Sequence, residues 1–249
     1  MLRVYSLQIR PSLGKVEENL KRIVDLLSEV KEDSLVVLPE MWQCGFDYEN
    51  MTKHAQATKE VLEELSKHSK EKSLTLIGTY PTQEGTCTYN TAIVLSNGQV
   101  IGKRHKIKLF PLYQEDKFFC AGAKNTTFQT PFGSLGILIC FELRFTSLVL
   151  ELKKQRVQII TVPAMWGEGR KEHWKVFTKS RAIELQAYLI ASNAWGKVGK
   201  EDYAGCSGIY DPWGNVLSYA EKGDTFLSAS IDLAQVEKVR ESLPVSEFI

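Results

Sequence analysis

The sequence predicts a layered α/β fold, with mixed sheets packed face to face and helices outside. Three observations lead there. Strand-like segments outnumber helical ones by roughly two to one on periodicity. They occur both in β-α-β order and as hairpins. No G-x-G-x-x-G follows a strand, so a dinucleotide-binding crossover is not indicated.

Arg3 to Ile9 alternates apolar and polar residues, as a strand does. Leu20, Ile23, Leu26, Leu27 and Val30 then recur at helical spacing within Glu17–Val30. Ser34–Leu38 is a short apolar run that reads as a buried strand closed by Pro39. A helix near Ala57–Glu71 leads to a strand at Leu74–Tyr80. Strands Asn90–Leu95 and Val100–Lys106 are joined by Ser96-Asn97-Gly98, a strong hairpin signal. The apolar run Gly136–Cys140 precedes a helix at Ser147–Lys154 and a strand at Gln158–Val162. A long helix over Arg170–Gln186 is followed by strands Leu189–Asn193, Gly205–Tyr210, Val216–Ala220 and Thr225–Ile231. A last helix begins near Asp232, a suitable N-cap.

The chain has 249 residues, and no linker, repeat or low-complexity stretch divides it, so residues 1–249 read as a single domain. Charge is balanced, with 31 basic and 30 acidic residues and a net +1. Phosphate-rich partners need a concentrated positive field, so neither nucleic acid nor membrane is an expected partner. The N-terminal MLRVYSLQIR lacks the apolar core of a signal peptide. The five cysteines, Cys44, Cys87, Cys120, Cys140 and Cys206, are odd in number and widely spaced. This argues against a disulfide framework and for a reducing, cytoplasmic location. No CxxC or HxxxH pair suggests a metal site.

Chemistry concentrates where a rigid strand meets a loop. Three strand ends carry unusual residues. In LPEMW, Glu40 follows an all-apolar strand and has large apolar neighbours, surroundings that make a carboxylate a better proton acceptor. The plainer reading is a surface carboxylate that ends a strand. In KRHKIKLF, Lys106 and Lys108 would share one face of an extended chain. Lys106 could hold an oxyanion there, or the segment could be a solvated edge. In GILICFELRF, Cys140 ends a buried strand, and backbone N–H groups at a following turn would favour its thiolate. An inert core cysteine is the alternative. No single site decides, but the order Glu, Lys, Cys, each after an apolar strand, is more specific.

LPEMW, KIKLF and ICFELRF together resemble the three catalytic segments of the nitrilase superfamily of carbon–nitrogen hydrolases. PAMWGEGRKEHW, GCSGIYDPWGNVL and IDLAQVEKVRESLP extend the likeness along nearly the whole chain. Lys108 stands where the family usually has His, and Glu142 where it usually has Asp. The resemblance implies a four-layer α-β-β-α sandwich with two mixed sheets. It implies Glu40 as general base, Lys106 as oxyanion holder and Cys140 as nucleophile, with Glu115 as a second Glu. It requires neither metal nor organic cofactor. The WGEGRKEHW segment is similar to the bacterial ω-amidase-like branch, which hydrolyses short amides bearing a distal carboxylate, such as 2-oxoglutaramate. A cation should hold that carboxylate, Arg170 first and Arg144 second. Phe141, Trp166, Trp174 and His173 are candidates for the pocket wall. The resemblance also implies a homodimer or higher homo-oligomer. Nitrilase, N-carbamoyl-amine hydrolase and deaminated-glutathione-type amidase activities remain as alternatives, as do a non-catalytic binding protein and a thiol sensor built on Cys140.

Overall fold

The structure is a computed structural model that describes residues 1–245. Its first half runs β1 (Leu2–Gln8), α1 (Val16–Glu29), β2 (Ser34–Val37), α2 (Met51–Glu71), β3 (Thr75–Glu84), β4 (Cys87–Ser96) and β5 (Gln99–His105). A short helix α3 (Glu115–Phe118) leads to β6 (Phe128–Thr130), β7 (Gly133–Ile137), α4 (Thr146–Lys154), β8 (Ile159–Ala164), α5 (Lys171–Leu185) and β9 (Tyr188–Asn193). The chain continues through β10 (Trp195–Val198), β11 (Glu201–Ala204), β12 (Ser207–Tyr210), β13 (Val216–Ala220), β14 (Thr225–Ile231) and α6 (Ala234–Ser242).

Two six-stranded mixed sheets result, ordered β14-β1-β2-β3-β4-β5 and β13-β12-β9-β8-β7-β6. In each, the central strands are parallel and the flanking ones antiparallel. Strand alternation sorts the side chains. Val4, Leu35, Val37 and Ile77 point inward and join Leu135, Ile137 and Ile160 of the second sheet in one core. Tyr5, Leu7, Val36 and Leu76 point outward, under Ile23 and Leu27 of α1 and Val61 and Leu65 of α2. Helices α4 and α5 cover the second sheet through Leu148, Leu152, Trp174 and Leu185. The four expected layers are therefore present. The Asn97-Gly98 turn forms as read, with both residues at positive φ, which matches the right-handed strand twist.

Three expectations need correction. Cys87 and Cys120 form a disulfide, with Cα atoms 5.8 Å apart across a sequence separation of 33. Spacing could not show this pair. Tertiary pairing makes it, by setting the Cys120 N–H 2.8 Å from the carbonyl of Thr88 at the foot of β4. The cysteine argument for a reducing compartment therefore falls. Secondly, Lys106 and Lys108 do not share a face, because β5 ends at His105 and the chain bends. Lys106 is buried, while the Lys108 ammonium lies 5.2 Å from the ring centre of Phe145. Thirdly, Gly205 and Cys206 have positive φ and turn the chain, so β12 starts only at Ser207. The last helix, α6, starts next to Asp232 as expected, and the Asp232 carboxylate caps that start by accepting the Ala234 N–H at 3.1 Å. The hairpin β10–β11 and the short strand β6 were not anticipated. No helix among the described residues is long and apolar enough to cross a membrane.

Candidate active site

Four buried side chains converge, three from separated strand ends and Glu115 from the start of α3. Glu40 follows β2, where the chain turns sharply and Met41 adopts φ +46. The turn is held by the Met41 N–H, which donates to Thr79 Oγ1 at 2.9 Å. The Glu40 carboxylate then accepts three hydrogen bonds. Lys106 Nζ and Asn90 Nδ2 reach Oε1 at 2.7 and 2.8 Å, and the Met165 N–H reaches Oε2 at 3.0 Å.

Lys106 is fully buried, just past β5. Asn90 fixes it twice over. Its carbonyl accepts the Lys106 N–H at 2.8 Å, and its amide shares the Glu40 oxygen that the ammonium binds. The ammonium also donates to Glu115 Oε1 at 2.7 Å. Gln114, in the left-handed region, turns Glu115 inward, and the Phe110 N–H donates to its other oxygen at 3.1 Å. Asp116 stays exposed, so the second carboxylate of the site is Glu115.

One ammonium thus bridges two buried carboxylates. Burial disfavours the charge on Lys106, but Glu115 and Glu40 outweigh it and hold the pKa above its ordinary value. Glu115 is pushed up to about 7, chiefly by burial and against the pull of Lys106.

Cys140 opens a short 3-10 segment, Cys140–Arg144, after β7. Its φ of +47 is a strained conformation for a residue with a Cβ. Such strain persists where surrounding contacts over-determine it. Burial pushes the thiol well above its usual range, Glu40 adds to the rise and Lys106 opposes it. Burial is thus the largest influence on this thiol.

Cys140 and Glu115 lie in a pocket walled by Phe110, Phe141, Met165 and Trp166, with about 290 Å³ of empty space including its mouth. Arg144 and Arg170 line the same pocket. Arg170 donates to Tyr113 Oη at 3.0 Å and lies 5.1 Å from the Phe110 ring centre. Arg144 stacks 4.7 Å from the Trp166 ring centre and meets His173 Nδ1 at 3.0 Å. Neither guanidinium forms an ion pair with a carboxylate among the described residues. Burial, then the charge of Arg170, lowers the pKa of Arg144. Two like charges facing one cavity favour an anion between them. Gly167 permits the crowding, since a Cβ there would meet Tyr113 Oη at 2.6 Å.

Of the expected wall residues, Phe141 and Trp166 line the pocket. His173 stands behind Arg144. Trp174 is core, with Nε1 donating to the Cys206 carbonyl at 2.8 Å. His105 stacks on Tyr89. Sequence reading missed Asn90, Tyr113 and the backbone N–H groups of Met165 and Phe110. A lone polar Asn opening the apolar run NTAIVL was the one available signal.

Comparison with known proteins gives the family. The carbon-nitrogen hydrolase family model matches residues 3–241. A 2-oxoglutaramate amidase of Bacillus subtilis is 31% identical over 98% of this chain and 95% of its own. An omega-amidase of Xenopus tropicalis is 30% identical over 92% of this chain and 88% of its own. A crystal structure of a CN-hydrolase superfamily protein from Xanthomonas campestris superposes with a TM-score of 0.92 at 20% identity, over 100% of this chain and 97% of that one. The chain belongs to the carbon–nitrogen hydrolase family and is a hydrolase of non-peptide carbon–nitrogen bonds.

Proposed function

We propose that the protein is an ω-amidase. It would hydrolyse the terminal amide of a short carboxylate-bearing substrate of the 2-oxoglutaramate type through a thioester on Cys140. The observation that carries this reading is the pocket itself. A buried thiol opens into a cavity that also holds two guanidinium groups with no carboxylate partner among the described residues.

In this reading Glu40 accepts the thiol proton as sulfur attacks the amide carbonyl. Lys106 and the Phe141 N–H steady the tetrahedral oxyanion, each donor contributing about 3 kcal/mol. The carbon–nitrogen bond breaks, Glu40 returns the proton to nitrogen, and ammonia leaves. Water then attacks the thioester and gives its proton to Glu40. Glu115 holds Lys106 in place and helps orient that water. The products are the free carboxylic acid, ammonia and the thiol. Arg170, with Arg144 beside it, binds the distal carboxylate in bidentate fashion.

Ammonia release from 2-oxoglutaramate and succinamate, compared with neutral butyramide, tests the assignment. Preference for the carboxylates by at least tenfold in kcat/KM, lost in Arg170→Met, is the expected result. Equal rates on butyramide would overturn the ω-amidase reading. The same reading includes a homodimer. Val176 and Ile183 of α5, with Trp213 beyond β12, expose an apolar face that a second copy would cover. Sedimentation as a monomer at micromolar concentration would contradict it.

A further inference from the structure

Glu142 lies two residues beyond Cys140 and is wholly buried, yet it faces away from the pocket chemistry described above. Its two oxygens are fully engaged. Oε2 accepts the Ile139 N–H at 2.7 Å and Arg104 Nη1 at 2.8 Å. Oε1 accepts the Ile107 N–H at 2.6 Å and the Lys108 N–H at 3.4 Å. The partners fall into two groups. Ile139 and Glu142 bracket Cys140 in the chain. Arg104, Ile107 and Lys108 bracket Lys106. One carboxylate therefore ties the strained turn that carries the thiol to the bend that carries the ammonium. Arg104 is anchored in turn, because its Nε donates to Asn125 Oδ1 at 3.1 Å.

We propose that Glu142 is a positioning residue that sets the distance between Cys140 and Lys106. The proposal rests on the assignment of those two residues above. Glu142 touches neither of their side chains. It acts through the main-chain N–H groups of Ile139, Ile107 and Lys108 and through the Arg104 guanidinium, four donors that converge on one anion. A carboxylate is the group that satisfies all four, since it only accepts. An amide in its place would aim N–H groups at donors. Without the tie, each segment keeps its own fold, but a small shift between them carries the ammonium out of reach of the developing oxyanion. Such misplacement is felt in the transition state more than in ground-state binding.

The test compares wild type, Glu142→Gln and Glu142→Asp by two readouts. One is kcat and KM for ammonia release from succinamate, with kcat counted per alkylatable Cys140. The other is the pH dependence of Cys140 alkylation by iodoacetamide, which needs no substrate. Glu142→Gln should lose roughly 10- to 100-fold in kcat with KM within about threefold. Its alkylation profile should move to higher pH, because Lys106 no longer favours the thiolate. Glu142→Asp keeps the charge on a side chain one methylene shorter, and should fall between the two. A folded Glu142→Gln with kcat per thiol within about twofold of wild type and an unmoved alkylation profile would overturn the proposal. If Glu142→Gln does not fold, Glu142→Asp decides: wild-type kcat and alkylation would overturn the proposal, and an intermediate loss at unchanged KM supports it. If wild type releases ammonia from no amide, the amidase assignment fails, and the alkylation profiles alone still judge Glu142.

Discussion

The two sheets share one plan and carry unequal chemistry. Read from β14 to β5 and from β6 to β13, both follow the pairing antiparallel, parallel, parallel, antiparallel, antiparallel. On that correspondence β2 matches β8, and their ends meet. The Glu40 N–H donates to the Ala164 carbonyl at 3.3 Å, and the Met165 N–H donates to Glu40 Oε2. The next residues are held alike. Met41 N–H reaches Thr79 Oγ1 beside it, and Trp166 N–H reaches Asn193 Oδ1 at 2.7 Å. The backbone frame is thus repeated, but one strand end offers a carboxylate and the other only its main chain. Likewise β1 runs on into buried Ile9, while its counterpart β7 leads to Cys140 in a left-handed turn. The lesson is that the fold supplies a pair of equivalent strand ends, and side-chain identity at one member of each pair supplies the chemistry.

Breaking the asymmetric members should cost most. Lys106→Met removes the cation between Glu40 and Glu115. It should lower kcat by about 10²- to 10³-fold through the lost oxyanion donor, and destabilise the fold by about 3–5 kcal/mol by leaving two buried carboxylates unpaired. Steady-state kinetics and urea unfolding check both. Removing the disulfide comes next. Cys87→Ser should cost about 3–4 kcal/mol for a closed loop of 33 residues. Because that loop contains Lys106 and Glu115, reduction by dithiothreitol should lower thermal stability before it lowers kcat.

Smaller effects sharpen the comparison. Asn90→Ala leaves Glu40 with two of its three donors and should reduce kcat by roughly tenfold. Met165→Leu should stay within about threefold, because Met165 serves Glu40 through its main chain. Glu115 gives the mildest test. Its folded-state pKa of about 7 lies above the ordinary 4.5, so its contribution to stability is present below 4.5 and lost as pH rises through 7. Glu115→Gln, which cannot ionise, should flatten the fall of Tm across that window. It should also remove an ascending limb near pH 7 from kcat/KM.

Much of this was legible in the sequence, and for identifiable reasons. Glu40 and Cys140 each sit where an apolar run stops, and composition marks such a place, whereas Lys106 follows the charged run Lys103–His105 and is read from its motif. Glu115 was readable only through the family resemblance, since its approach to Lys106 depends on the turn at Gln114. Asn90, the Arg104–Glu142 pair and the Cys87–Cys120 bridge were not legible. Each depends on partners brought together from distant parts of the chain, and local pattern carries no trace of that beyond the polar Asn90 that opens NTAIVL. The repeated sheet plan was equally hidden. Both sheets repeat hydrogen-bond topology without repeating residues, so no internal similarity appears in the sequence.

The account stands or falls on the thiol. Ammonia release from 2-oxoglutaramate and succinamate should be measured for wild type and Cys140→Ala at matched folded concentration. The account predicts turnover in wild type and none above background in Cys140→Ala. Turnover that survives in Cys140→Ala would contradict a thioester on Cys140, and with it the role assigned to the strand end that carries it.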